Sequence, residues 1–200
     1  MIRFLFKLVI CIILATGASV AYLTIRSGDP VYIIYEWISP ARFQRYDAFL
    51  QSVAAKNGLD PMLLKAVVWR ESGFDPTKRG AAGERGLMQV SEKAANEWAR
   101  ETHTDNFRAD DLFDAKVNIE AGAWYLRRAM QHWQHQANPI PFALAEYNAG
   151  ASRAQRWAGD ADATVVPPDT FRSNIDFPGT RKYVDAIIAR YEFYKRRGRM

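Results

Sequence analysis

From Trp69 to Gln89 the chain reads Trp-Arg-Glu-Ser-Gly-Phe-Asp-Pro-Thr-Lys-Arg-Gly-Ala-Ala-Gly-Glu-Arg-Gly-Leu-Met-Gln, which sets a carboxylate, Glu71, ahead of a glycine-punctuated loop. A carboxyl group donates a proton at neutral pH only if its pKa is raised, and two features act in that direction. Asp60 as N-cap, Pro61 at the first helical position and the periodic Leu63, Leu64, Val67 and Val68 predict a helix whose C-terminus falls at Glu71. There the helix dipole disfavours negative charge, and Trp69 and Phe74 would exclude water if they pack over the group. Such an acid suits general acid catalysis. Taken alone, a glutamate at a helix end is ordinarily a solvated surface residue, so the assignment needs partners.

The elements that must position Glu71 read as helices. Ser39 caps and Pro40 starts a helix carrying Phe43, Tyr46, Phe49, Leu50 and Val53, which Asn57-Gly58 stops. After the Glu71 helix another begins near Ser91 and buries Ala95, Trp98 and Ala99. Asp114 caps a longer one with Ile119, Ala123, Leu126, Met130 and Trp133 on its inner stripe. Pro141 opens a short helix that ends at Asn148-Ala149-Gly150, and a further short helix spans Ser152 to Trp157. A loop through Pro167-Pro168 then leads to Thr180, the expected cap of a last helix with Tyr183, Val184, Ile187, Ile188, Tyr191 and Tyr194 on its apolar side. No run alternates apolar and polar residues long enough for a strand, so the expected fold is all-α.

Met1 to Ile25 is apolar apart from Arg3, Lys7 and a few small polar residues, and its length is close to the ~20 residues a bilayer requires. Arg3 and Lys7 orient the N-terminus toward the cytoplasm and send the following domain outward. Ser19-Val20-Ala21 would serve as a signal cleavage site, whereas the renewed apolar run of Tyr22, Leu23 and Ile25 favours an uncleaved anchor. The expected organisation is therefore a membrane anchor or signal segment over 1-25, a juxtamembrane linker over 26-38 and one helical domain over 39-200. The only cysteine, Cys11, lies in the apolar segment, which rules out a disulfide framework or a cysteine metal site. His132 and His135 share a helix but lack a nearby third ligand, so no metal and no cofactor are expected. The +5 charge is partly the terminal Lys195, Arg196, Arg197 and Arg199, and no basic stripe interleaved with aromatics suggests nucleic acid. A monomer is expected.

Glu71-Ser72, Gly86-Leu87-Met88-Gln89 and Ala145-Glu146-Tyr147-Asn148-Ala149-Gly150 occur in that order. Together they resemble the signature motifs of the lytic transglycosylases with a goose-type-lysozyme-like domain. The interval from Glu71 to Gly86, 15 residues (86 − 71), is similar to that of the family. Asn118-Ile119 with Gly122 and Tyr125-Leu126 resembles its intervening helix, and Thr180-Arg181-Lys182-Tyr183-Val184 its last motif. The resemblance implies a lysozyme-like helical domain acting on peptidoglycan glycan strands. It would cut the β-1,4 bond between N-acetylmuramic acid and N-acetylglucosamine and leave 1,6-anhydromuramic ends. It makes Glu71 the catalytic acid and base, and Tyr147 a catalytic residue whose hydroxyl positions the carboxyl or the sugar. Ser72, Gly86, Leu87, Met88, Gln89, Asn148, Gly150 and Tyr183 are then expected to bind substrate. Lys78-Arg79-Gly80 stands where many members have Ala-Val-Ser, and Gly179 where some have a glutamate.

Two other functions compete. A lysozyme-type hydrolase would need a second carboxylate holding water, for which Asp75, Glu84, Glu92 and Glu146 are candidates. A membrane-anchored wall-binding or assembly module with little turnover would need no intact acid. The expected location is the cell envelope, with the N-terminal helix in the cytoplasmic membrane and the catalytic domain in the periplasm, or with a soluble periplasmic domain if the signal is cleaved.

Overall fold

The computed structural model describes residues 2–27, 34–36, 38–159 and 165–198, and divides the chain into two compact units, Met1–Gln44 and Arg45–Met200. The first contains helix α1, Ile2–Ser27, and a short helix α2, Pro40–Gln44. At 1.5 Å per residue α1 is ~39 Å long, enough to cross a hydrocarbon core of about 30 Å. Its stretch Arg3–Tyr22 is long and apolar enough to span a membrane, and none of it is buried. Tyr32, Ile33 and Trp37 of the expected juxtamembrane linker lie outside the described residues.

The second unit is helical, with no strand among its described residues. It comprises α3 (Asp47–Asn57), α4 (Pro61–Ser72), α5 (Glu92–Glu101), α6 (Ala115–His132), α7 (Ile140–Ala149), α8 (Ala151–Ala158), α9 (Pro168–Asn174) and α10 (Pro178–Arg197). The caps follow their local chemistry. Asp60 accepts from the Met62 amide, Ser91 from Ala94, and Asp114 from Lys116 and Val117. Helix α10 packs along α4 and α7, and α6 along α3, α5 and α7, so the helix bearing Glu71 is held by neighbours remote in sequence. Leu63, Leu64, Val67 and Val68 of α4 are buried, as are Ile119, Ala123, Leu126 and Trp133 of α6. Burying each of the leucine, valine and isoleucine side chains contributes about 1.5–3 kcal/mol.

Three local expectations are corrected. The helix expected from Ser39 to Asn57 breaks at Arg45 and Tyr46, and a new helix starts at Asp47, whose carboxylate pairs with the fully buried Lys65 at 2.7 Å. That partner lies 18 residues away, beyond the reach of local periodicity. Pro167-Pro168 opens helix α9 where a loop was expected, and Phe171 of α9 stacks on Phe142 at 4.0 Å. Thr180 lies inside α10 and does not cap it. Its hydroxyl donates to Asn148 Oδ1 at 2.8 Å, joining α10 to the end of α7.

Candidate active site

Helix α4 ends at Gly73 with φ +62°, and Phe74 follows with φ +63°, which turns the chain sharply just past Glu71. The loop after it closes on itself. Gly80 N–H donates to Glu84 O (2.8 Å), Gly86 N–H to Lys78 O (2.9 Å), and Arg85 and Val90 exchange amide hydrogen bonds at 3.0 and 3.1 Å. The Gln89 side chain crosses the loop, its Nε2 donating to Lys78 O at 3.0 Å and Gly86 O at 2.8 Å. One buried residue of α6 ties this loop to the core. Asn118 Oδ1 accepts from Met88 N–H at 2.7 Å, while its Nδ2 donates to Arg85 O at 2.7 Å and Leu112 O at 2.9 Å. Gly86 is required beside it, since a Cβ there would come within 2.4 Å of Asn118 Nδ2 and Leu112 O.

Together these elements enclose a cavity of about 530 Å³ lined by Glu71, Tyr147, Tyr183, Gln89 and Asn148, among others. Tyr183 donates to Glu71 Oε1 at 2.6 Å. Burial pushes the Glu71 pKa up to about 7. The Tyr183 hydrogen bond and the charges of Arg70 and Lys78 pull it down, and Glu84 adds to the rise. Of the residues expected to flank the carboxyl, Trp69 and Phe74 are both buried, and the Arg190 guanidinium lies over the Trp69 ring, 4.4 Å from its centroid. Burial and the nearby Glu71 hold the Tyr183 and Tyr147 phenols well above the usual range, so both remain protonated donors at neutral pH.

Six residues expected in the site line the cavity: Glu71, Tyr147, Gln89, Asn148, Gly150 and Tyr183. The other four do not. Leu87 and Met88 are fully buried apolar side chains, with Met88 packed against Gly122. Gly86 serves the loop turn, and the Ser72 hydroxyl turns back into its own helix to donate to Val68 O at 3.2 Å. Ser72, Gly86, Leu87 and Met88 thus lie outside the cavity lining, in packing and loop support. Of the two roles expected for the Tyr147 hydroxyl, positioning the carboxyl or the sugar, the bond to the carboxyl is made by another residue. That residue is Tyr183, whereas Tyr147 donates to Met88 O at 2.9 Å and sets its ring edge against Tyr125.

Sequence reasoning did not single out Arg70, Tyr125 and Asn118 for this site, and named Lys78 only as a departure from the family pattern. Of the four candidate second carboxylates, only Glu84 lines the cavity. Its Oε2 accepts from Ala82 N–H at 3.1 Å. Asp75 caps the turn at Thr77, Glu92 pairs with Arg85, and the buried Glu146 is held by Trp133 Nε1 and His132.

A helical domain with one desolvated carboxyl in a cavity between its helices places the chain in the lysozyme-like class. The chain belongs to the Transglycosylase SLT domain family, whose model matches residues 49–165. It is 32% identical over 112 residues to a membrane-bound lytic murein transglycosylase F of Desulfosudis oleivorans, covering 54% of this chain and 23% of that protein. It is 30% identical over 131 residues to the soluble lytic murein transglycosylase of Salmonella typhimurium, covering 65% of this chain and 20% of the relative. The chain thus spans about a quarter or less of the length of these relatives. Among solved structures, it is similar to an inactive glutamate-to-glutamine mutant of the lytic transglycosylase Slt from Pseudomonas aeruginosa. The TM-score is 0.70 at 27% identity, covering 77% of this chain and 24% of that one.

If Glu71 acts as an acid, turnover falls as pH rises through about 7. Tyr183→Phe removes a bond that favours the carboxylate, so the Glu71 pKa rises and the alkaline limb of the pH–rate profile moves to higher pH. Turnover should also drop by about tenfold as the carboxyl loses its orientation. A profile measured on both forms checks this, and an unmoved limb would detach Tyr183 from Glu71 function.

Proposed function

We propose that this chain is a peptidoglycan lytic transglycosylase that cuts the β-1,4 bond between N-acetylmuramic acid and N-acetylglucosamine and closes a 1,6-anhydromuramic end. The observation that carries the reading is the Glu71 carboxyl, desolvated to a pKa of about 7 and held by Tyr183 in the cavity. Family membership and the inactivating glutamate-to-glutamine change in the Pseudomonas relative support it.

Protonated Glu71 gives its proton to the glycosidic oxygen, and N-acetylglucosamine departs with the bonding electron pair. The substrate's own acetamido oxygen stabilises the positive charge developing at the muramyl anomeric carbon. Glu71, now a carboxylate, takes the proton of the muramyl 6-hydroxyl, whose oxygen bonds to that carbon. One carboxyl is enough, and it ends the cycle protonated. Engagement of Glu84 within its own loop speaks against the hydrolytic alternative, which asks for a second free carboxylate.

The same reading has α1 crossing the cytoplasmic membrane, with Arg3 and Lys7 on the inner side and the catalytic domain facing the wall in the periplasm. The membrane-bound names of several relatives agree with a cell-envelope location. One preparation tests both halves. Membranes carrying the full chain should keep it through a carbonate wash and release from purified sacculi muropeptides lighter by one water than hydrolysis products. Hydrated ends would overturn the transglycosylase chemistry, and a soluble product beginning at Tyr22 would overturn the anchor.

A further inference from the structure

The cavity around Glu71 contains cationic side chains whose charge the acid chemistry does not require. Arg70 and Lys78 both line it, and Glu84 is the other acidic residue there. Their engagements differ. The Arg70 guanidinium lies over the Tyr183 ring, 5.7 Å from its centroid, and Glu84 accepts from the Ala82 amide. Lys78 donates to the main-chain carbonyl of Glu71, and no ion pair of the described residues includes it.

An ammonium has three donor hydrogens and no acceptor, so contact with one carbonyl leaves capacity for a ligand in the same cavity. The root of the side chain is also fixed, because Lys78 O accepts from both Gly86 N–H and Gln89 Nε2. With Glu71 in its acid form, Arg70 and Lys78 outweigh Glu84 by one positive charge. This lining favours an anion close to the reacting bond.

Resting on the function proposed above, we infer that Lys78 receives the free lactyl carboxylate of muramic acid, which makes the chain selective for glycan strands stripped of stem peptide. N-acetylglucosamine carries no charge. Muramic acid carries a lactyl group on C3, two ring carbons from the C1 that reacts, and its acid is the only ionised group on the sugar itself. Attachment of a peptide converts that acid to a neutral amide. A cation beside the general acid, carried on a tethered loop, therefore distinguishes stripped from substituted strands by charge.

The test uses the full chain in detergent and three substrates: peptide-free strands, the same strands with lactyl acids converted to methylamides, and peptide-bearing strands. Wild type should show a kcat/KM about five- to tenfold higher on the free acid than on the methylamide at low salt, shrinking as salt is raised. Lys78→Met should bring the ratio close to one, and Lys78→Arg should retain most of it. Both substrates meet the same Glu71, so any change in acid strength cancels in the ratio. If Lys78→Met fails to fold, the salt-dependent wild-type ratio still decides. A wild-type ratio near one, or a ratio unchanged in Lys78→Met, overturns the assignment. So does a preference for peptide-bearing strands that Lys78→Met abolishes, because the cation then reads a peptide carboxylate. Absence of turnover on all three substrates would instead bring down the catalytic reading itself.

Discussion

Glu71→Gln is expected to lower wall-degrading turnover by about a thousandfold or more while making the fold more stable at pH 8. The amide keeps the size of the side chain and an oxygen for Tyr183, but has no proton to donate to a leaving oxygen. The stability gain follows from linkage. In the fold the Glu71 pKa is about 7, raised by burial above its ordinary value of 4.5. Between those values the folded chain binds the proton more tightly than the unfolded chain, so stability falls as pH rises from about 4.5 to 7. Above 7 the full cost of a desolvated carboxylate stands, roughly 2 kcal/mol after solvent screening at a partly open site. Glutamine carries no such charge. Its melting temperature should exceed that of wild type at pH 8 and converge with it at pH 4, where both side chains are neutral. Turnover near the wild-type level would remove Glu71 from its role, and equal melting at pH 8 would contradict the desolvation.

Asn118→Leu should have the largest effect on stability and silence the site without touching it. Leucine matches asparagine in size, yet it leaves the Met88 amide and the Arg85 and Leu112 carbonyls without their present partner. Each buried group deprived of its hydrogen bond costs about 1–3 kcal/mol, so the three together give roughly 3–9 kcal/mol, toward the lower end because the bond to the Arg85 carbonyl is only partly buried. That is a large share of the 5–15 kcal/mol by which a domain of this kind is stable. The same bonds hold the loop that presents Lys78 and Gln89 to the cavity, so turnover should fall even at temperatures where the helices persist. Denaturant unfolding with helix content as the probe measures the first effect, and wall digestion of the cold, folded variant the second. Asn118→Asp, which keeps the acceptor for Met88 and loses both donors, should fall between the two. A loss below 1 kcal/mol for leucine would mean that the loop is held by other contacts.

Much of the chain was legible because the interactions that set it are local. Helix caps act within two or three residues, and Asp60, Ser91 and Asp114 make the bonds their positions suggest. Apolar periodicity identified the inner faces of α4 and α6, and the length and composition of the N-terminal segment identified a helix long and apolar enough to cross a membrane. The placement of Glu71 at a helix end before a glycine-rich loop was likewise readable, since Pro61 fixes its own φ at a helix start and Gly73 and Gly86 permit the positive φ that sharp turns require.

What the tertiary structure decided involves partners far apart in sequence. Tyr147 and Tyr183 offer the same hydroxyl, and nothing local says which reaches Glu71. The packing of α10 along α4 brings in Tyr183, 112 residues away, and leaves Tyr147 to support the loop at Met88. Asn118 belongs to the site only because the loop folds back across α6, 30 residues from Met88. Leu87 and Met88 share a motif with Gln89, yet the first two are buried and Gln89 lines the cavity. The acid strength of Glu71 follows the same rule. Desolvation depends on everything packed around a group, so the residue type was written in the sequence and its pKa was set by the folded neighbours.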